Sequence, residues 1–399
     1  MTEVADAPAF PRPRTCPYHP SPDYDQLRDG APLHRVRLYS GRTVWVVTRY
    51  DVARRLLADD RLSINRNDPG FPVTLRQFEA FRRFKKRTLV GMDPPEHGHY
   101  RRMLIGEFTL KRMNALRPVI EQAVSGLLDD MIAAGPPADL VSSFSIPVPS
   151  MIISRILGVP YEHHDFFQDT SRRMLTASTA DLAVAARGEM ENFIAGLADS
   201  RGYEPGLIQR LVDGPLADGE IDHDDLVSLG QLLLLAGHES TASMISLGVV
   251  TLLEHPDQLM VLRAEPDTMV TAVEELLRFL SIAELSGARV AKADIEIEEG
   301  LTIRAGEGVL VDLSINNRDA ATFTDPDTLN VRRSARNHLA FGYGVHQCLG
   351  QNLARAEMEI ALNALLSRIP SLRLAVPVDE LRLRPCGVVH GVEELPVTW

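Results

Sequence analysis

Residues 341–350 read Phe-Gly-Tyr-Gly-Val-His-Gln-Cys-Leu-Gly. One cysteine, Cys348, stands at the end of a turn punctuated by Gly342 and Gly344, with Gly350 just behind it. A run of good helix formers follows, so a helix is predicted over Leu349–Arg368. A turn of this kind can present a thiolate to an iron atom. The thiolate stays deprotonated if N–H donors and the positive end of a helix lie close by. Glycines let the backbone approach a flat cofactor more closely than any Cβ would allow. A lone cysteine is more often a buried structural residue, so the rest of the chain has to decide between the two.

Length and charge narrow the field. The chain has 399 residues, enough for a large core, and a formal net charge of −12. A balance this acidic argues against general nucleic-acid binding, which needs a basic surface. The three cysteines, Cys16, Cys348 and Cys386, are far apart and form no CxxC pair. That disfavours a zinc site or a disulfide framework and suits a reducing cytoplasm. Met1–Pro22 is rich in proline and charge. It shows neither a secretory signal nor an apolar run long enough to span a bilayer, so no membrane anchor is expected.

The pattern along the chain is mainly helical with a small β part. An irregular lead-in of about 22 residues precedes a strand at Thr43–Thr48 and a short helix at Tyr50–Asp59. Helices are predicted near Leu110–Ala134, Ser150–Leu157, His163–Ala177, Asp181–Ser200 and Thr268–Leu280. The longest runs from about Asp224 to Glu254, with Asp222 as N-cap and His255-Pro256 as its stop. Short strands cluster between Arg289 and Leu313. No repeat or linker interrupts the chain, so residues 1–399 are expected to form a single domain.

Inside the longest helix, a glycine, an acid and two hydroxyls interrupt an apolar run: Ala236-Gly237-His238-Glu239-Ser240-Thr241. Gly237 in a helix interior costs roughly 1 kcal/mol relative to alanine. A buried acid is costly without a partner or a task. Gly237, Ser240, Met244 and Leu247 share one face. Glu275 and Arg278 sit three apart on a helix, a spacing that by itself usually means a solvated ion pair. His97 and Arg101 lie four apart at the start of another helix. The run Phe81–Arg87 mixes aromatic and basic residues, most often a solvated face.

Taken in order, these pieces resemble the cytochrome P-450 family, in its soluble actinomycete form and close to the family 105 subgroup. The loop fits the family's F-G-x-G-x-H-x-C-x-G pattern at every specified position. The resemblance covers nearly the whole chain and implies the P-450 fold, one helix-rich domain with minor sheets. It implies haem b, iron protoporphyrin IX, ligated by Cys348 and lying against Phe341, Gly342 and Gly350 of the loop and Ala236 and Gly237 of the long helix. Buried propionates need cationic or hydrogen-bonding partners, and the resemblance assigns them His97, Arg101, Arg289 and His346. Proton delivery falls on Glu239 with Ser240, where threonine is usual, or on Thr241 beside it. Glu275, Arg278 and an arginine ahead of the loop (Arg333 first, Arg332 second) form a structural lock. The segment holding Phe81 and Phe84 caps the substrate pocket.

The implied activity is a monooxygenase inserting one atom of O2 into a C–H bond of a hydrophobic small molecule, such as a macrolide, polyene or other secondary metabolite. A broad xenobiotic or terpenoid hydroxylase is the sibling reading, and a haem sensor without turnover the distant one. The chain has no flavin domain and no cysteine set for an iron–sulfur cluster. Electrons would therefore come from a ferredoxin and an NAD(P)H-dependent ferredoxin reductase, docking at Arg102, Lys111, Arg112 and Arg355. A cytoplasmic monomer is expected.

Overall fold

Thr109 and Gly135 bracket the first long helix. The Thr109 hydroxyl accepts from the Arg112 N–H at 3.4 Å, and Gly135 leaves the helix at φ +78°. Such caps satisfy groups a helix leaves unpaired at its ends. The computed structural model describes residues 7–28, 31–76, 79, 89–176, 179–384 and 389–399. The run Phe81–Arg87 and Cys386 lie outside the described residues.

Among the described residues, twelve α-helices follow in order: α1 Tyr50–Leu57, α2 Glu96–Ile105, α3 Leu110–Ala134, α4 Pro147–Leu157, α5 His164–Thr176, α6 Ala180–Asp199, α7 Leu207–Leu211, α8 His223–Glu254, α9 Pro256–Ala264, α10 Met269–Leu280, α11 Leu313–Asn316 and α12 Gln351–Arg368. The strands are β1 Leu33–Arg37, β2 Thr43–Val47, β3 Leu62–Ser63, β4 Ala138–Asp139, β5 Gly287–Ala291, β6 Ile295–Glu298, β7 Leu301–Ile303, β8 Gly308–Val311, β9 Arg373–Leu374 and β10 Pro396–Thr398.

Helix α3 matches its expected range end to end, and α10 differs by one residue. At the start of α8, the Asp225 N–H donates to Asp222 Oδ1 at 2.8 Å while the Asp222 N–H donates to Asp225 Oδ2 at 3.1 Å. This reciprocal cap holds both ends of the turn. Several elements had no expectation, among them α7, α11, β4, β9 and β10, and two more are instructive. Strand β1, Leu-His-Arg-Val-Arg, offers only two apolar side chains, and its stability comes from pairing with β2. Helix α9 starts at Pro256, the residue that also stops α8.

The chain divides into two compact units. One comprises Met1–Arg82, Ser246–Cys348 and Val376–Glu393. Its five-stranded sheet runs β1-β2-β8-β5-β3. Strand period two sorts its side chains between two cores. Val44, Val46 and Leu310 pack with Phe10 and Tyr24 on one face. Val47, Val309 and Val311 pack on the other with Ala53, Leu56 and Leu57 of α1 and with Leu339. That second core brings α1 under the cysteine loop. Gly344 has φ +76°, and a Cβ there would lie 2.8 Å from the Leu57 carbonyl oxygen.

The other unit comprises Arg83–Ile245, Leu349–Ala375 and Glu394–Trp399. Here α12 lies along α3. Arg117 grips Glu359 through two bonds of 2.8 and 3.1 Å, and Arg368 meets Asp129 at 2.6 Å. A small sheet, β4-β10-β9, closes it. Among the described residues, α8 is the one helix long and apolar enough to cross a membrane, and 78% of its apolar window is buried within the protein.

Candidate functional site

The first unit carries the cysteine loop. The Cys348 N–H donates to the Phe341 carbonyl at 2.8 Å, and the Gly342 N–H to that of Leu339 at 2.7 Å. With the Gln347 N–H donating to the Gly344 carbonyl at 3.0 Å, these closures fold the segment back on itself and leave Cys348 exposed. Gly342 reaches φ +69°, a conformation open to glycine at no steric cost. Gly350 has open space where a Cβ would stand. The Phe341 ring lies 5.7 Å from that of His338. His346 is half-buried in the short turn 344–346. Arg289 is 5% exposed on β5, its Nη1 bonded to the Ala288 carbonyl at 2.8 Å.

Beside the loop stands a fully buried charge cluster. Arg278 donates through Nε to Glu275 Oε2 at 2.7 Å and through Nη2 to Oε1 at 2.8 Å, and both side chains are 0% exposed. Arg278 Nη1 adds the carbonyls of Asn317 and Pro326, each at 2.9 Å. Arg333 Nε donates to Glu275 Oε1 at 3.0 Å, as does the Asn330 N–H. Arg332 turns outward to the exposed Glu265 at 2.6 Å. Of the two arginines, therefore, Arg333 meets Glu275.

Sequence reasoning missed a second pair. His338 Nδ1 accepts from the Ala340 N–H at 3.1 Å, so its proton sits on Nε2, which meets Glu274 Oε2 at 3.1 Å. Both residues are buried. Glu274 thus fixes the segment leading into the loop from the same helix as Glu275. A signal existed in the doubled Glu274-Glu275, two acids in a helix that is otherwise apolar there.

In the second unit, α2 carries His97, 2% exposed, and the half-buried Arg101. Burial pushes the His97 imidazole below its usual range, and Arg101 adds to the shift. His97 is therefore a neutral hydrogen-bonding group near pH 7, with Arg101 supplying the charge. On α8, Leu233, Leu234, His238 and Glu239 are buried, while Ala236 is exposed and Gly237 and Ser240 are half-buried. The small residues thus form an open strip in the middle of a buried helix, which fits a flat apolar cofactor laid against it. Gly237 has a packing reason as well: a Cβ would come within 2.6 Å of Ile153 on α4. The Ser240 hydroxyl donates to the Ala236 carbonyl at 3.1 Å.

Thr241 points elsewhere, toward Glu357 on α12. Glu357 is 0% exposed, and neither carboxyl oxygen reaches a hydrogen-bond partner. Burial pushes this acid well above the usual carboxylate range, and the nearby Thr241 hydroxyl works against the shift without making a bond of normal geometry. A carboxyl in this setting is kept neutral. It lies inside a continuous helix pattern, so the sequence gives no hint of it.

Residues 204–370 match the family model described as "Cytochrome P450". Over the whole chain, the sequence is 57% identical to the vitamin D3 dihydroxylase of Streptomyces griseolus, covering 98% of that protein. The chain belongs to the cytochrome P-450 family. It is a P-450 monooxygenase of the bacterial 105 type. It is also 56% identical to the pentalenic acid synthase of Streptomyces avermitilis, over 100% of this chain and 99% of that one. The crystal structure of CYP105P1 in complex with filipin I aligns with a TM-score of 0.90 at 40% identity, covering 99% of both chains. P-450 enzymes work with a haem iron, and the bacterial members draw on redox partners and O2 to act on hydrophobic substrates.

Proposed function

We propose that this P-450 is a haem-thiolate hydroxylase of a hydrophobic secondary metabolite such as a macrolide or polyene, with Cys348 as the iron ligand of haem b. The observation that carries the ligand assignment is the backbone-closed loop that holds Cys348 exposed ahead of α12. The test is the reduced, carbon monoxide-bound spectrum: a strongly red-shifted Soret band supports it, and an unshifted one removes it. The substrate is the finer question. The two relatives at 57% and 56% identity are named for different compounds, so overall identity does not choose between them. A compound library screened for substrate-induced spin-state change does; a response to varied foreign compounds alone would favour the broad hydroxylase.

When bound, the haem supplies oxygen activation and C–H hydroxylation, with the thiolate pushing electron density onto the iron. The chain does the rest. His97 and Arg101 of α2, with Arg289 and His346, hold the propionates, the arginines as charges and His97 as a neutral donor. Phe341, Gly342, Gly350, Ala236 and Gly237 give the ring flat, apolar walls. Glu275 with Arg278 and Arg333 keeps the approach to the loop rigid. Glu239 Oε1 and the Ser240 or Thr241 hydroxyl hold and pass protons. Ser240→Ala is expected to lower product formed per NAD(P)H several-fold and release peroxide. Unchanged coupling would move the role to Thr241 or to water.

Electrons arrive from a ferredoxin and its NAD(P)H-dependent reductase, and the enzyme works as a cytoplasmic monomer whose two units act as one catalytic domain. The docking candidates Arg102, Lys111 and Arg112 are exposed and Arg355 half-buried. Arg112 leaves 57% of its side chain in solvent, with Glu107 only 3.9 Å away. Arg112→Glu should raise the ferredoxin KM about tenfold at low salt and flatten its salt dependence, as expected of a rim charge that steers encounter. An unchanged KM would place docking on another surface.

A further inference from the structure

His238, next to the acid of α8, has no role in the reading so far. Its ring is 0% exposed. Nδ1 lies 2.6 Å from the Leu234 carbonyl, one turn back. A carbonyl can only accept, so Nδ1 carries a hydrogen and the tautomer is fixed. The ring is also held edge-on by Phe167 of α5, with centroids 5.9 Å apart at 73°. Phe167 is itself 0% exposed. Nε2 therefore has a set direction, and it meets Glu239 Oε1 at 3.8 Å.

With Nδ1–H fixed, Nε2 is either a lone pair or an N–H of the cation. A lone pair facing an ionised carboxylate oxygen is repulsive, and there is little water to screen it, since Glu239 is 7% exposed. One proton between them removes the repulsion. It can sit on Nε2, making an ion pair, or on Oε1, making two neutral groups. Either way the pair carries one exchangeable proton and no net charge. The distance of 3.8 Å is longer than a hydrogen bond, so the proton passes when the flexible Glu239 side chain rotates toward the fixed ring.

We propose that His238 is a positioning residue that shares one proton with Glu239 and hands it to Glu239 for delivery. This rests on the reading of Glu239 as the proton-delivering acid. In the transfer, the Nε2–H bond breaks, an O–H bond forms at Oε1, and the imidazolium and the carboxylate both become neutral. Once Glu239 passes that proton into the pocket, the pair is left one proton short with a net charge of −1, and solvent refills it. Phe167 gives α5 a means of sensing or setting the ring, so a shift of that helix would change how well the pair is aligned.

The test is imidazole 15N NMR on the diamagnetic carbon monoxide complex of the holoenzyme near neutral pH. The His238 signal is identified by its loss in His238→Gln and by its ring-current shift in Phe167→Leu. Nδ1 is expected to carry hydrogen throughout. Nε2 is expected to be at least partly protonated in the wild type and bare in Glu239→Gln. Identical Nε2 signals in the two proteins would overturn the proposal. His238→Phe keeps a ring against Phe167 and removes both nitrogens. Its peroxide release per NAD(P)H should rise several-fold with substrate affinity unchanged, and wild-type coupling would equally overturn the proposal. If that variant fails to fold, the comparison of wild type with Glu239→Gln decides alone. Normal coupling in Glu239→Gln would sink the reading of Glu239 itself. Uncoupling there with an unaltered His238 signal would sink only the role of His238.

Discussion

Cys348→Ala is expected to lose the red-shifted Soret band of the reduced carbon monoxide complex, and with it all substrate turnover. The effect is total because a methyl group offers the iron no electron pair, and no other thiol stands in the loop. Folding should survive, since Cys348 is exposed and the loop is closed by its backbone N–H to Phe341 O, which alanine keeps. The expected result is a folded protein with normal circular dichroism and a weakened, unshifted haem band. Cys16→Ala is the matched control. Cys16 sits in the lead-in, half-buried beside Tyr18, and its loss should leave the spectrum as it was. A red-shifted band persisting in Cys348→Ala would move the ligand to another residue.

Much of the molecule was legible because its signals are local. Thr109 and Gly135 announce the ends of α3, and Asp222 announces the start of α8. The loop pattern is contiguous, and its glycines answer to a positive φ at Gly342 and Gly344. What stayed hidden depends on partners distant in sequence. Strand β1 has His34 and Arg35 in its middle and owes its order to β2. The Glu274–His338 pair joins residues 64 apart. Glu357 reads as one more charged residue of an amphipathic helix until its burial is seen. Gly237 shows how a correct residue can carry an incomplete reason. Its place in the motif suggested room for a cofactor, while the structure adds that Ile153 leaves no room for a Cβ. The two units are each assembled from three separate stretches of chain, an interleaving that no run of composition betrays.

Arg333→Ala and Arg332→Ala should differ sharply, although the residues are neighbours. Arg333 shares a carboxylate with Arg278 at the fully buried Glu275 and also donates to the carbonyls of Asp325 and Thr328 at 3.1 and 3.2 Å. Removing it leaves part of a buried carboxylate short of a donor, while the three carbonyls, counting Thr324, lie in exposed contacts where water can take its place. Breaking a buried pair from one side costs about 3–5 kcal/mol. Arg278 still covers Glu275 here, so the low end of that range is expected. Against a total stability of roughly 5–15 kcal/mol, that is a large loss. Arg332 pairs with Glu265 where both are 53% exposed, a class of contact worth about 0–1 kcal/mol. Urea unfolding should therefore show a clear fall in midpoint for Arg333→Ala and almost none for Arg332→Ala. Haem retention should follow the same order, because the segment that Arg333 anchors leads directly into the cysteine loop. Equal midpoints would mean that Arg278 and the Asn330 N–H already satisfy Glu275, and that Arg333 is not part of the lock.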